Sequence, residues 1–240
     1  MAVTVAAFTL HGPARVGVIV ALAVLQVVLF GCGMSFIRMQ YFIRSICRGN
    51  PGQMKVALTF DDGPDGVATP ALLDLLQQEK VPATFFCIGQ RVVAYPELAA
   101  RIVADGHLIG NHSHHHSWLM TFNRARGLMR EFKMAQDAIR QTTGVTPRFL
   151  RPPMGLTNPH FPWAIRQLNL TLIGWDVRPL DTVRSAKDVI ESVLAKTTDG
   201  SIIVLHDGGS TPDKITHIAG TLIRELRARG FEFERVDRLI

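Results

Sequence analysis

Asp61 and Asp62 stand side by side where the apolar run VALTF gives way to Gly63-Pro64. Turn chemistry alone accounts for an Asp-Gly-Pro exit from a strand. It does not account for the histidines. NHSHHHS, residues 111–117, offers His112, His114, His115 and His116. His112 and His116 are four apart, so one helical turn would turn both imidazoles to one face. With an aspartate from elsewhere they make a three-ligand site with positions left for water and substrate, the arrangement of a catalytic metal centre. His114 and His115 read as loop residues, either of which could touch substrate. Two adjacent carboxylates can then divide labour. One ligates the metal, and the other accepts a proton from water whose pKa the metal lowers to about neutrality. Arg151, ahead of a Pro-Pro turn, can pair with that base. His206 follows the apolar run SIIVL and is a candidate acid for a leaving group. Asp181, in PLDT, can orient His206 or Arg151.

These residues share a position relative to the elements that carry them. Short apolar runs predict strands at Val56–Phe60, Ala83–Ile88, His107–Gly110, Arg148–Leu150, Thr171–Gly174, Ser201–Leu205 and Phe231–Phe233. Between them, amphipathic stretches predict helices at Ala68–Gln78, Pro96–Ala104, Arg124–Thr142, Phe161–Leu168, Ala186–Lys196 and Asp213–Arg229. Such alternation implies an α/β fold with a parallel sheet. The pair Asp61-Asp62, HSHHH, RPPMG, DVRPLD and His206-Asp207 each fall just past the C-terminal end of a strand. In a parallel barrel those ends form one face, the one that carries active sites.

The chain has 240 residues, enough for one large α/β domain. Its net charge of +6 is uneven: residues 1–50 hold Arg15, Arg38, Arg44 and Arg48 and no acid, which leaves 22 basic and 20 acidic residues in the rest. That balance argues against a nucleic-acid partner, which would want a basic stripe on the folded part. Cys32, Cys47 and Cys87 have neither the number nor the spacing of a disulfide framework or a structural zinc site. From Val16 to Ile37 no residue is charged, about the length that crosses a bilayer as a helix. An uncleaved membrane anchor is favoured over a signal peptide, whose apolar core is shorter. FIRMQYFIRSICR follows and suits the membrane interface, and RGNPGQ reads as a linker. The expected division is an anchor and juxtamembrane segment over 1–50 and a catalytic domain over 51–240. The arginines after the span, set against Arg15 before it, favour a cytoplasmic domain by the positive-inside count.

TFDDG, HSHHH in the form H-[ST]-x-x-H, RPPMG and VLH, in this order and spacing, resemble the polysaccharide deacetylases of carbohydrate esterase family 4, the NodB-homology domain. The likeness covers about residues 54–236. It implies a distorted (β/α) barrel with a parallel strand core, here preceded by one N-terminal transmembrane helix. It implies one divalent metal, most commonly Zn2+, held by Asp62, His112 and His116. Asp61 would be the general base, oriented by Arg151. The backbone N–H of Met154 would help the metal stabilise the oxyanion, and His206, supported by Asp181, would protonate the departing amine. The implied substrate is an acetylated amino-sugar polymer or oligomer: peptidoglycan, chitooligosaccharide or poly-N-acetylglucosamine. Such substrates favour an extracytoplasmic domain, against the positive-inside count. Two other readings stand beside this one: a deacylase of a lipid-linked sugar at the membrane, and a non-catalytic carbohydrate-binding homologue. Three positions depart from the family's usual pattern. Met154 stands where many members have an aromatic residue, Thr182 where a Trp follows the Asp, and Val204 where a Leu precedes the His. Trp118, Trp163 and Trp175 can offer a sugar-stacking face, although core packing is the default for each.

Overall fold

The computed structural model describes residues 12–240. Seven strands, all paired in parallel, make one curled sheet: β1 (Lys55–Asp61), β2 (Thr84–Cys87), β3 (Leu108–Asn111), β4 (Phe149–Leu150), β5 (Thr171–Leu172), β6 (Ile202–His206) and β7 (Glu232–Phe233). Their order is β5-β4-β3-β2-β1-β6, with β7 beside the start of β1. Nine helices are described: α1 (Pro13–Ser35), α2 (Ala68–Glu79), α3 (Gly89–Ala94), α4 (Pro96–Ala104), α5 (Ala125–Thr143), α6 (Phe161–Gln167), α7 (Ala186–Lys196), α8 (Pro212–Ala228) and α9 (Val236–Leu239). All seven expected strands and all six expected helices of the domain are present within a few residues of their expected ends. The short α3 and α9 were not foreseen: six and four residues are too few to show a helical period.

Side-chain alternation along the strands sorts the core into two layers. Val56, Leu58 and Phe60 of β1 face Leu72, Leu73 and Leu76 of α2 and Leu222 and Ile223 of α8. Ala57 points the other way, into the hollow of the sheet, with Phe86, Leu150, Leu172, Ile202, Val204 and Trp175. Thr59 and Asp61 share the parity of Ala57 and so stand on the same inner side.

The curl leaves β5 and β6 as free edges, and two irregular segments bridge them. Ile46 pairs with Ile173 just past β5, Arg48 pairs with Ser201 just before β6, and Val177 pairs with Ile203. The barrel is therefore closed by single bridges, the distortion expected for this fold class. The chain ahead of β1 takes part in the closure. Ile37 is only 5 % exposed within the inner layer, the Ser45 hydroxyl donates to the Ile37 carbonyl at 2.9 Å, and Cys47 packs against Gly174. Part of the segment ahead of residue 51, expected to lie with the anchor, thus packs against the sheet. Arginines spaced among the apolar residues gave the segment an interfacial look. Arg48, however, donates to the Asp199 carbonyl and the Thr198 hydroxyl.

α1 carries 23 residues and is long and apolar enough to cross a membrane. Of its residues only Gly33 is buried, where Tyr41 fills the space above it. Its C-terminal end is fastened to the domain. Thr157 donates from its backbone N–H to the Met34 carbonyl at 3.0 Å and from its hydroxyl to the Gly33 carbonyl at 3.3 Å.

Candidate active site

Register brings the C-terminal ends of the strands level. Asp61 on β1 lies opposite both Phe86 on β2 and His206 on β6, and Cys87 on β2 lies opposite Asn111 on β3. Past these ends opens a cleft of about 160 Å³, lined by Asp61, Asp62, His112, His116, Met154, Trp175, Arg178, Thr182, Val204 and His206. Six of the eight residues expected in the site line it. Arg151 and Asp181 stand directly behind, bonded to lining residues.

Asp62, His112 and His116 converge, with one ligand atom of each within 4.8 Å of the others. The chain does not achieve this with the expected helical turn. Residues 112–117 form an irregular loop in which Ser113 (φ 63°) and His116 (φ 54°) are left-handed. Asn111, fully buried, shapes it: its Nδ2 donates to the Phe132 carbonyl at 2.8 Å, and its Oδ1 accepts from the Ser113 N–H at 2.8 Å. The Ser113 hydroxyl in turn accepts from the His116 N–H. His115 is tied to Glu131 of α5 at 2.8 Å, and His114 packs over Gly89. Neither lines the cleft.

His112 Nδ1 lies 2.7 Å from the Arg151 carbonyl. A carbonyl only accepts, so Nδ1 carries the hydrogen and Nε2 presents a lone pair. That lone pair points to Asp62 Oδ1, 3.2 Å away; His116 Nε2 is 3.0 Å from the same oxygen. Neither contact has the alignment of a hydrogen bond, and Oδ1 is buried without another partner among the described residues. Lone pairs aimed at one another in a buried place are repulsive unless a cation lies among them. Two imidazoles and a carboxylate form a donor set that fits a divalent metal, and the hydrogen bond behind His112 is the support such ligands usually have. Burial by itself would raise the Asp62 carboxyl. Were the two close imidazoles, His112 first, protonated on Nε2 in place of a cation, their charge would outweigh burial and hold the group well below the usual carboxylate range.

Asp61 is oriented differently from its neighbour. Arg151, with no exposed surface, donates from Nη1 to Asp61 Oδ1 at 2.8 Å and to the Thr59 hydroxyl at 2.6 Å, and from Nη2 to the Gly174 carbonyl at 2.9 Å. Its guanidinium lies 4.2 Å over the Phe86 ring. Burial pulls the Arg151 pKa down and Asp61 pushes it back up. A buried cation this well bonded fixes one oxygen of Asp61 and leaves Oδ2 for the cleft.

His206 is held by both oxygens of Asp181. Its backbone N–H donates to Oδ2 at 2.7 Å, and its Nδ1 lies 2.8 Å from Oδ1. The Lys214 ammonium donates to the Asp181 carbonyl at 2.6 Å. Burial would lower the imidazole's pKa. The Asp181 bond and the charges of Asp61, Asp181 and Asp62 reverse that and raise it to about 9.

The loops after β1 and β6 interlock at two glycines. A Cβ on Gly63 would sit 2.2 Å from Asp207 Oδ2, and one on Gly208 would sit 2.5 Å from the Asp62 carbonyl oxygen. Asp207 is fully buried and bonded to the Thr69 hydroxyl; burial pushes its pKa up to about 7.

Sequence reasoning missed several members of the site. Thr59 could have been found from its i, i+2 relation to Asp61 on one strand face. Arg178 was inside the quoted DVRPLD and lines the cleft, 5.2 Å from the Trp175 ring. Trp175, offered as a sugar-stacking candidate with core packing as its default, is 8 % exposed and forms a wall. The three departures Met154, Thr182 and Val204 also line the cleft, so its shape is where this chain differs from the common pattern.

The polysaccharide deacetylase family profile matches residues 48–173. The peptidoglycan-N-acetylglucosamine deacetylase PgdA of Listeria monocytogenes is 36 % identical over 186 residues, covering 77 % of this chain and 38 % of that protein. This chain thus spans about two fifths of the Listeria relative. The chitooligosaccharide deacetylase of Bradyrhizobium sp. (strain ANU 289) is 36 % identical over 201 residues, covering 78 % of this chain and 91 % of that one. The crystal structure of the Bc1960 peptidoglycan N-acetylglucosamine deacetylase superposes with a TM-score of 0.76 at 31 % identity, over 82 % of this chain and 92 % of the other.

Proposed function

Because the chain belongs to the polysaccharide deacetylase family, we propose that it hydrolyses the N-acetyl group of N-acetylglucosamine-containing saccharides. Peptidoglycan, chitooligosaccharide and poly-N-acetylglucosamine are the candidate substrates. The observation that carries the proposal is the separation of roles between two adjacent carboxylates. Asp62 shares a buried point with His112 and His116, while Asp61 is turned away from it and clamped by Arg151.

Asp62, His112 and His116 would hold the divalent cation, and the mixed nitrogen and oxygen donor set suits Zn2+. When bound, such a cation is a Lewis acid for the acetyl carbonyl and lowers the pKa of water. Asp61, with Oδ1 engaged by Arg151, takes the proton of the attacking water on Oδ2. The backbone N–H of Met154, at the cleft wall, supports the developing oxyanion. His206, with Nδ1–H bonded to Asp181, gives the proton on Nε2 to the amine as the C–N bond breaks. Acetate and a free amino sugar leave. Trp175, with the Arg178 guanidinium over its ring, forms part of the wall the sugar would meet.

We further infer that α1 is an uncleaved membrane anchor, with the catalytic domain on the extracytoplasmic side. Its fixed junction with the Thr157 loop, three residues after Met154 of the cleft, favours a second reading of the substrate: an acylated sugar carried on lipid. The test is acetate release by the metal-stripped, zinc-restored full chain in detergent, offered N-acetylated chitooligosaccharides and, separately, lipid-linked N-acetylglucosamine. Asp61→Asn should abolish turnover while zinc still binds by calorimetry; Asp62→Asn should lose both. Acetate from neither substrate by a folded, zinc-loaded chain refutes the proposal. Zinc binding that survives Asp62→Asn refutes the ligand assignment.

A further inference from the structure

The turn directly after the His-rich loop is strongly apolar and faces outward. Trp118 is 60 % exposed, Leu119 54 % and Phe122 70 %, in one turn of 3-10 helix, Trp118–Phe122. The Trp118 and Phe122 rings meet edge to face at 6.3 Å. Only Met120 and Thr121 of this turn reach inward. Three large apolar side chains on one exposed turn are not ordinary scattered surface residues.

The turn is tied to the end of α1 through two consecutive residues. Thr157 donates to the Gly33 and Met34 carbonyls. Its neighbour Asn158, buried, donates from Nδ2 to the Thr121 carbonyl at 2.6 Å and to the Asn123 carbonyl at 3.0 Å. The apolar turn therefore sits beside the point where α1 meets the domain. On its other side the chain becomes basic. Arg124, Arg126 and Arg130 are exposed, and none has a carboxylate partner among the described residues. Arg126 and Arg130 share one face of α5 with Lys133, which pairs with Asp137, and they border a groove with Met129 and Trp163. Aromatic and aliphatic side chains at a tip, with arginines just behind, match the chemistry of a membrane–water interface with anionic headgroups.

We propose that the Trp118–Phe122 turn is a membrane-contact element. With α1 in a bilayer, Trp118, Leu119 and Phe122 enter the interfacial region of the leaflet next to the domain, and Arg124, Arg126 and Arg130 meet its anionic headgroups. The proposal rests on the reading of α1 as an anchor, and its test separates the two.

Tryptophan emission provides the test, because α1 contains no Trp and the chain has only Trp118, Trp163 and Trp175. Full-length protein is reconstituted into vesicles of phosphatidylcholine and phosphatidylglycerol in equal parts, with plain or brominated acyl chains, and flotation is measured first. Brominated chains should quench the emission, Trp118→Phe should lose more than half of that quenching, and Trp163→Phe should keep it. A chain that floats, with Trp118→Phe quenched like wild type, overturns the contact while the anchor stands. A chain that does not float overturns both. Trp118 emission that responds to soluble chitooligosaccharide and not to brominated lipid also overturns the proposal, assigning the turn to the saccharide.

Discussion

Replacing Asp181 with Asn should move one limb of the pH profile and leave the other in place. His206 rises from 6.5 to about 9 although burial pulls the other way, and the Asp181 hydrogen bond is the first of the causes that raise it. That rise corresponds to roughly 3 kcal/mol in favour of the imidazolium. A cation on Asp62 would cancel that carboxylate's share of the rise but not the Asp181 bond. If Asp181 supplies half of that rise, the variant's His206 titrates between about 7 and 8. At pH 8 the acid form then falls from roughly nine-tenths of the molecules to about one-third, whereas at pH 6 it hardly changes. The assay is kcat/KM for acetate release from pH 5 to 10. The variant's basic limb should move down by at least about one pH unit, with a roughly two- to threefold loss of relative rate at pH 8. Stability carries the same sign: the raised folded-state pKa stabilises fully below about 6.5, and this is lost as pH rises through about 9. A variant slowed equally at every pH would refute the reasoning and reduce Asp181 to a packing residue.

Arg151→Met should leave Asp61 as an uncompensated buried charge, costing about 3–5 kcal/mol of stability in denaturant titration and abolishing acetate release. Ile37→Ala, at a position 5 % exposed, should cost about 2–4 kcal/mol in the full chain in detergent, while Phe36→Ala, at 59 % exposed, should cost less than about 0.5. Equal melting temperatures for those two variants would return residues 36–48 to the status of an interfacial segment. Gly63→Ala drives a methyl into Asp207 and should weaken zinc binding about tenfold or more by shifting Asp62, with a correspondingly higher zinc requirement for activity.

What could be read in the sequence was whatever depends on local pattern. The β1 run VALTF and its two aspartates announce a strand end, and the same logic repeated over five strands points to the cleft. Spacing failed where tertiary contacts decide. The four-residue interval between His112 and His116 suggests a helix, but Asn111 and Ser113 hold that loop in left-handed turns by bonds that depend on the Phe132 carbonyl, 21 residues away. The pairing of Arg151 with Asp61 was legible, but its complete burial was not, because its partners Thr59, Asp61 and Gly174 come from two distant strand ends. Residues 37–50 resembled an interfacial strip because nothing in their order reveals that Ile46 and Arg48 bridge the two open edges of a sheet formed later in the chain.

The absence of slack between α1 and the barrel sets a working radius. A domain on a flexible tether samples a hemisphere whose size grows with the square root of the tether's length. Here Thr157 grips the last turn of α1, and the following residues are part of the sheet's closure. With α1 in a bilayer, the cleft stays at one height above the lipid and searches only in two dimensions. Its output along a glycan would then follow lateral diffusion of the anchor and the number of copies per area of membrane, not the bulk concentration of enzyme or polymer. Inserting a long Gly/Ser stretch at the junction would convert a fixed-height enzyme into one that reaches outward, at the cost of effective concentration near the lipid.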